Sequence, residues 1–241
     1  MRRKIKRKIG NFFKTGFRIK SLFTDIELLS YERQVERRVE KIRVDHTNRY
    51  EWITNYFSFL KEKNIKILDC FCGVGYGCTI LSDFYNKAEI TGIDGSKETI
   101  EYAKRFYARN SINYYRKRFP FNHNEKYDLV VSFESLEHIE TYQEFFLFLQ
   151  NSLKKEGYLI LSTPNESVVP FKEGDYKFHY RHFNLSDYEG LAKEYNLCIE
   201  KVFFQNSFRI TNNKKIFLDK SETYPFEHFE GQNIIIVFKS K

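Results

Sequence analysis

One short segment limits the possible folds more than any other part of the chain. An apolar run over 66–69 ends in Asp69, three alternate glycines follow at 73, 75 and 77, and helical spacing continues over 78–84. Glycines at such a turn let the backbone approach a ligand closely, where any Cβ would collide. The segment therefore predicts a strand, a ligand-binding turn and a helix, with a plain tight turn as the alternative.

Strand and helix signals continue to alternate along the rest of the chain. Strands are predicted at 89–93, 128–133, 158–162, 199–204 and 233–238, and helices at 97–108, 141–153 and 186–195, with Ser96 as an N-cap. Strands that alternate with helices require right-handed crossovers and predict an α/β fold with a doubly wound, mostly parallel sheet. A ligand then lies at the carboxyl ends of the first strands.

Charge is distributed unevenly and divides the chain into three parts. Residues 1–20 contain nine Lys or Arg and no acid, which leaves 31 basic against 32 acidic residues elsewhere. We expect a basic amphipathic arm at 1–24, a helical cap or extension at 25–62, and one catalytic domain at 63–241. Apolar positions of the arm recur every three or four residues, which is typical of a helix with one apolar face.

The basic amphipathic pattern of the arm predicts what the arm binds. A basic amphipathic helix suits an anionic membrane surface, where each basic side chain contributes about 1 kcal/mol, so residues 1–23 are predicted to be a peripheral anchor. Docking of the arm onto its own domain or a partner is the alternative. Nucleic acid is disfavoured, because the arm's phenylalanines lie among its apolar positions rather than on an open stacking face.

Cysteine content and hydropathy restrict the cellular location that we expect for the chain. The four cysteines complete neither a zinc pattern nor a disulfide framework, and no window approaches the ~20 apolar residues of a membrane-spanning helix. We expect a cytoplasmic protein without a metal, held by its arm at the inner face of the membrane. The sequence makes no prediction of oligomeric state.

A second acid points to a nucleoside. Asp94 closes the second predicted strand, 25 residues after Asp69, where a carboxylate could accept both hydroxyls of a ribose. An NAD-dependent dehydrogenase would share this pattern. The strand-final Asp69 ahead of the glycines argues against it.

Four ordered blocks resemble the class I S-adenosylmethionine-dependent methyltransferases, over roughly 46–197: the Gly-rich turn, 91–94, 127–134 and 157–165. The likeness is greatest to bacterial glycan, sugar and small-molecule O-methyltransferases. It implies a seven-stranded Rossmann-like sheet whose last strand is antiparallel, and S-adenosylmethionine as cofactor. The cofactor-binding residues that it implies are Asp69, Cys72, Gly73, Gly75, Tyr76, Asp94, Gly95, Phe119, Phe133, Glu134, Arg49 and Tyr50.

The chain departs from the family pattern at two places. Phe71 stands where a small residue is usual, and the run 116–118 is basic where an acid commonly meets the adenine amino group. A degenerate, non-catalytic scaffold is therefore an alternative to an enzyme.

The block 134–139 resembles the Glu-His-Ile block of many small-molecule and sugar methyltransferases. Its His138 is the candidate base, since a histidine can take a proton near neutral pH, and capping of the next helix is the alternative role. The resemblance also implies acceptor contacts from His179 and Arg181. His182 stands where relatives have an acid, and all three could instead be solvated surface.

Residues 46–50 give the best clue to the acceptor. They resemble the His-x-x-Arg-Tyr element of methyltransferases associated with bacterial glycans, so the main prediction is O-methylation of a sugar or glycan intermediate. Alternatives are a quinone-like or other small metabolite, and RNA. The same residues also fit an amphipathic helix with Tyr50, Ile53 and Phe57 on its core face.

Overall fold

A computed structural model of the chain describes residues 35–241. The predicted arm at 1–24 and its membrane contact lie outside these residues, as does the start of the predicted extension. The strands are β1 (Lys66–Cys70), β2 (Glu89–Asp94), β3 (Ile112–Arg116), β4 (Tyr127–Phe133), β5 (Leu153–Pro164), β6 (Leu197–Gln205), β7 (Phe208–Thr211), β8 (Lys214–Phe217) and β9 (Asn233–Ser240). The α-helices are α1 (Val44–Tyr56), α2 (Tyr76–Phe84), α3 (Lys97–Phe106), α4 (Tyr142–Asn151) and α5 (Leu185–Glu194).

Seven strands form one mixed sheet of order β3-β2-β1-β4-β5-β9-β6. β9 runs antiparallel to both of its neighbours, and the other paired strands are parallel. The predicted seven-stranded Rossmann-like sheet with an antiparallel last strand is confirmed. The carboxyl ends of β1, β2, β4 and β5 therefore meet at one edge.

The sheet is buried on both faces, as its apolar strands require. In β9, Ile235 and Val237 join the core beneath α1, α2 and α3, whereas Ile234, Ile236 and Phe238 join the core beneath α4 and α5. All five side chains are fully buried. Each such burial contributes about 1.5–3 kcal/mol, so β9 stabilises both halves of the domain.

Local capping agrees with the sequence where hydroxyl and amide side chains precede helices. The hydroxyl of Ser96 accepts a hydrogen bond from the Thr99 N–H at 3.1 Å, so the predicted N-cap of α3 is confirmed. Asn184 and Asp187 form a capping box at the start of α5. These bonds satisfy backbone donors that the helices cannot pair internally.

The extension differs from its prediction. In the described part of the predicted 25–62 stretch, the α-helix covers only Val44–Tyr56, and residues 39–41 form a 3-10 turn. Residues 35–38 are all exposed, and three of the four are charged, so this segment has no apolar face that could pack as a helix on the domain. Ile53 and Phe57 are fully buried in the core that includes β1 and α2, so α1 packs as part of the domain's own core.

Two features that the sequence analysis did not predict are the edge strand β3 and the hairpin β7-β8.

Within residues 35–241 no helix is both long and apolar enough to cross a membrane.

Candidate functional site

Asp69 lies fully buried at the end of β1. Its carboxylate accepts hydrogen bonds from the Tyr50 hydroxyl at 3.1 and 3.2 Å and from the Cys78 thiol at 3.4 Å. Burial raises the pKa of Asp69 to about 7, although the bonds from Cys78 and Tyr50 oppose this shift. The folded protein therefore holds a proton on Asp69 that the unfolded chain would release at a lower pH.

This proton predicts a pH dependence of stability. A carboxyl whose pKa is higher in the folded state stabilises the fold fully below its unfolded pKa of about 4 and loses that contribution as pH rises through about 7. Asp69→Asn removes this titration. The free energy of unfolding of the variant, measured relative to that of the wild type, should therefore rise by a few kcal/mol between pH 4 and pH 8. Urea unfolding of both proteins at these two pH values measures the offset. An offset that is the same at both would contradict the assignment.

The Gly-rich turn is tied to the end of β2. The Gly73 N–H donates to Asp94 Oδ2 at 3.2 Å, and the Ser96 N–H donates to Oδ1 at 2.9 Å. Gly73 and Gly75 have φ of 57° and 93°, a region that suits glycine. A carboxylate accepts hydrogen bonds only, so the chemistry of Asp94 at the end of β2 fits the hydroxyls of the ribose of the predicted cofactor.

Helix α1 packs directly over the start of α2. An ideal Cβ at Gly77 would lie only 2.1 Å from the Tyr50 ring, so glycine is required for this approach. Tyr50 also contacts Tyr76 edge to face, with ring centroids 5.7 Å apart, and Tyr76 shares a 3.2 Å hydrogen bond with His46. The predicted cofactor residues Tyr50 and Tyr76 thus lie at the junction of α1 and α2.

The bulk of Phe71 is accommodated by helix α4. Phe71 adopts φ of 63° and stacks on Phe145 with ring centroids 4.9 Å apart. Phe119 contacts the same Phe145 ring edge to face at 5.1 Å. In the basic run, the Arg118 guanidinium donates to the Gly95 carbonyl at 3.2 Å. Phe71 and Phe119 therefore pack on the same ring of α4, and the roles of Phe119 and Gly95 in binding the cofactor stay predictions.

Glu134 joins the ends of three strands. Its backbone is left-handed, with φ of 47°, and its carboxylate accepts from Ser162 of β5 and Asn233 of β9, both at 2.8 Å. Arg49 forms an ion pair with it at 3.2 Å and donates to Gln205 at 2.5 Å. Arg49 was predicted as a cofactor contact, and these partners tie it to Glu134 and β6.

Arg49 and Glu134 line a cavity of about 190 Å³, which we call the strand-end cavity. It lies at the carboxyl ends of β4 and β5, between α1 and the β7-β8 hairpin. Its walls include Arg43, His46, Arg49, Glu134, Tyr176, Phe208 and Lys215. Burial lowers the pKa of His46 to about 3, which leaves that ring uncharged at neutral pH.

The tautomer of His138 follows from one hydrogen bond. Its Nδ1 lies 3.0 Å from the Phe178 carbonyl oxygen, which can only accept. Nδ1 must therefore carry the proton, and in the neutral ring the lone pair is on Nε2. His138 does not line the strand-end cavity; it contacts His179 edge to face at 4.6 Å, and His179 stacks on the cavity residue Tyr176 at 5.2 Å.

The two neighbouring histidines, His179 and His182, share a hydrogen bond that orients their rings. Nδ1 of His182 lies 2.6 Å from the Val169 carbonyl, and burial lowers the pKa of His182, so its neutral ring accepts at Nε2. His179 Nδ1, 2.8 Å from that atom, is then the donor, which places the His179 lone pair on Nε2. Side-chain ligand atoms of Glu137, His138 and His179 lie within 4.8 Å of one another and could hold a metal ion. The prediction of no metal stays a prediction.

Arg181 and His182 line a different cavity. It measures about 280 Å³ and lies at the start of α5. Arg181 donates to Asp187 at 2.7 Å and to the Tyr142 hydroxyl at 2.9 Å, and His182 is buried. These bonds give both side chains a role in fixing the loop before α5, and their predicted contact with an acceptor remains untested.

Sequence reasoning missed several residues of the strand-end cavity. Phe208 and Lys215 belong to the unpredicted hairpin, and Tyr176 lies in a loop without a regular pattern. A signal for the hairpin was present: Asn212 and Asn213, which both have positive φ, form a two-residue connection between β7 and β8. Such asparagine turns are typical of tight hairpins.

The strand order, the acids ending β1 and β2 and the Gly-rich turn between β1 and α2 define a class I, S-adenosylmethionine-dependent methyltransferase. The solved structures support this fold. An S-adenosylmethionine-dependent methyltransferase from Clostridium acetobutylicum is similar at a TM-score of 0.58 and 16% identity, over 80% of this chain and 91% of that one. A TehB-like S-adenosylmethionine-dependent methyltransferase from Corynebacterium glutamicum is similar at 0.53 and 18% identity, over 80% and 87%.

A family model described as a methyltransferase domain matches residues 41–202, and the chain belongs to that family. Among curated proteins, the ubiquinone biosynthesis O-methyltransferase of Pelagibacter ubique is 28% identical over 178 residues, which are 64% of this chain and 72% of that protein. The protein of the same name from Rickettsia bellii (strain OSU 85-389) is 31% identical over 140 residues, or 57% of this chain and 56% of that protein. The predicted cofactor, S-adenosylmethionine, is thereby confirmed.

Proposed function

We propose that this methyltransferase methylates a phenolic hydroxyl of a quinone-like small molecule. The observation that carries the proposal is the strand-end cavity, whose aromatic side chains Tyr176 and Phe208 suit a flat ring. The names of the curated relatives favour this acceptor over the sugar or glycan that the sequence suggested. At about 190 Å³ the cavity is smaller than the roughly 300–1,000 Å³ of sites for drug-sized ligands, and it suits a single-ring head group.

The cofactor would be held at the ends of β1 and β2. Asp94 would accept the ribose hydroxyls, the backbone at Gly73 and Gly75 would face the methionyl part beside Asp69 and Cys72, and Phe119 would lie beside the adenine. When bound, S-adenosylmethionine supplies an electrophilic methyl group. Tyr50, which holds Asp69, and Arg49, which holds Glu134, would act as positioning residues.

His138 would remove the proton of the reacting hydroxyl. Its Nδ1 bond to the Phe178 carbonyl orients the ring and keeps Nε2 as the proton acceptor. Glu137 Oε1 lies 3.9 Å from that Nε2 and would stabilise the imidazolium that forms. To meet His138, the reacting hydroxyl would have to point from the cavity past Tyr176 and His179, toward the end of β4.

Asp94→Asn should weaken S-adenosylmethionine binding by about tenfold or more. The substitution removes the charge from the bonds to the ribose, and a hydrogen bond to a charged group contributes about 1.5–3 kcal/mol. Titration calorimetry measures the affinity. Asp83→Asn is the matched control, since Asp83 is an exposed carboxylate that pairs with Arg109. Equal affinities for the two variants would refute the ribose role.

Transfer of a labelled methyl group tests the function. The intact chain is incubated with methyl-labelled S-adenosylmethionine and with catechol, a catechol carboxylic acid, a sugar nucleotide or a transfer RNA. We expect label on a phenolic oxygen of the catechols. Label only on the sugar or the RNA would contradict the proposal, and failure to bind the cofactor at all would favour a non-catalytic scaffold.

A further inference from the structure

The β7-β8 hairpin adds one wall to the strand-end cavity. Phe208 pairs with Phe217 and Ile210 pairs with Lys215, so these four side chains share one face of the hairpin. Phe208 and Lys215 of that face line the cavity. Lys214 lies on the opposite face, which offers a matched position outside the cavity.

Lys215 is held in place by aromatic rings. Its ammonium lies 3.9 Å from the centre of the Phe208 ring and 5.3 Å from that of Phe217. A cation over a ring face is attracted to it, yet the interaction uses none of the ammonium's capacity to pair with an acid. The two rings therefore fix the position of the ammonium at the cavity wall, and they do not neutralise its positive charge.

The charges around the cavity do not balance. Arg43 pairs with Asp45, and Arg49 pairs with Glu134. In the part of the chain that the structure describes, no carboxylate pairs with Lys215. The low pKa of His46, about 3, means that this ring adds no charge at neutral pH. One positive charge on the wall therefore has no matching acid.

We propose that Lys215 binds an anionic substituent of the acceptor, and that the preferred acceptor is a phenol that also carries a carboxylate. This inference rests on the proposed function, because it assigns the acceptor to the strand-end cavity. A carboxylate beside Lys215 would balance the wall, while Tyr176 and Phe208 contact the ring. Lys215 thus determines specificity and takes no part in proton transfer.

The test compares 3,4-dihydroxybenzoate with catechol, which differ by one carboxylate. Calorimetry measures the binding of each to the full chain saturated with S-adenosylhomocysteine. The wild type should bind the acid about tenfold or more tightly than catechol, as a charge-assisted bond predicts. Lys215→Met should remove most of that preference, Lys215→Arg should keep it, and Lys214→Met should match the wild type.

Equal binding of the two phenols by the wild type would overturn the inference, and so would a failure to detect binding of either phenol. Equal effects of Lys215→Met and Lys214→Met would also overturn it. Its failure can be told from failure of the proposed function. Methylation of catechol without an effect of Lys215→Met leaves the function standing and removes the anion site. If binding of the acid depends on Lys215 but neither phenol is methylated, the anion site stands and the proposed function fails.

Discussion

Replacing His138 with alanine is expected to lower kcat by about a hundredfold, with little change in the affinity for S-adenosylmethionine. General base catalysis contributes about 10²–10⁴ in rate, and alanine removes the Nε2 acceptor that the bond to the Phe178 carbonyl orients. Stopped assays with a catechol acceptor give kcat and KM separately. A base role also predicts that the acidic limb of the pH profile of kcat disappears in the variant.

His228→Ala is the matched control, because His228 is an exposed histidine of the segment before β9. It should keep full activity. If His138→Ala retains near-normal turnover and an unchanged pH profile, the enzyme works by proximity alone and His138 only orients the turn that follows β4.

Replacing Arg49 with methionine is expected to destabilise the fold by about 3 kcal/mol. Arg49 is only 3% exposed and its partner Glu134 is 26% exposed, so the substitution leaves a largely buried carboxylate without its cation. Breaking a buried ion pair costs about 3–5 kcal/mol, and the partial exposure of Glu134 favours the lower value. Methionine keeps most of the apolar length of the side chain, so the loss reports on charge. Urea unfolding measures it.

Arg209→Met controls for the loss of an ion pair at the surface. Arg209 and Glu222 are 59% and 40% exposed, and such pairs contribute less than about 1 kcal/mol. The double variant Arg49→Met with Glu134→Gln should recover part of the stability, because it removes both charges. Equal losses for Arg49→Met and Arg209→Met would show that the buried pair does not tie α1 to the strand ends.

The parts of the fold that were predicted are those with strong apolar patterns. β4, β5 and β9 read as runs of Leu, Val and Ile because both of their faces are buried, and Asp69 and Asp94 were identified because each ends such a strand. β3 was missed because it lies at the sheet edge, where Asn113, Tyr115 and Arg116 are exposed and interrupt any apolar run. An edge strand leaves a weak pattern in its own sequence.

The site was less predictable, since it depends on contacts between distant segments. His138 was found from its position after a strand, but its tautomer depends on a carbonyl 40 residues away in the chain. Gln205 and Asn233 hold Arg49 and Glu134 across separations of 156 and 99 residues, which no local pattern records. Lys215 was missed together with its hairpin, although Asn212 and Asn213 carried the turn signal.

The most direct test of the account is a crystal structure of the protein with S-adenosylhomocysteine and 3,4-dihydroxybenzoate. We expect the ribose hydroxyls to lie on the Asp94 carboxylate and the aromatic ring to lie in the strand-end cavity, with one hydroxyl toward His138. A nucleoside away from the ends of β1 and β2, or a ring in the cavity beside Arg181, would contradict it.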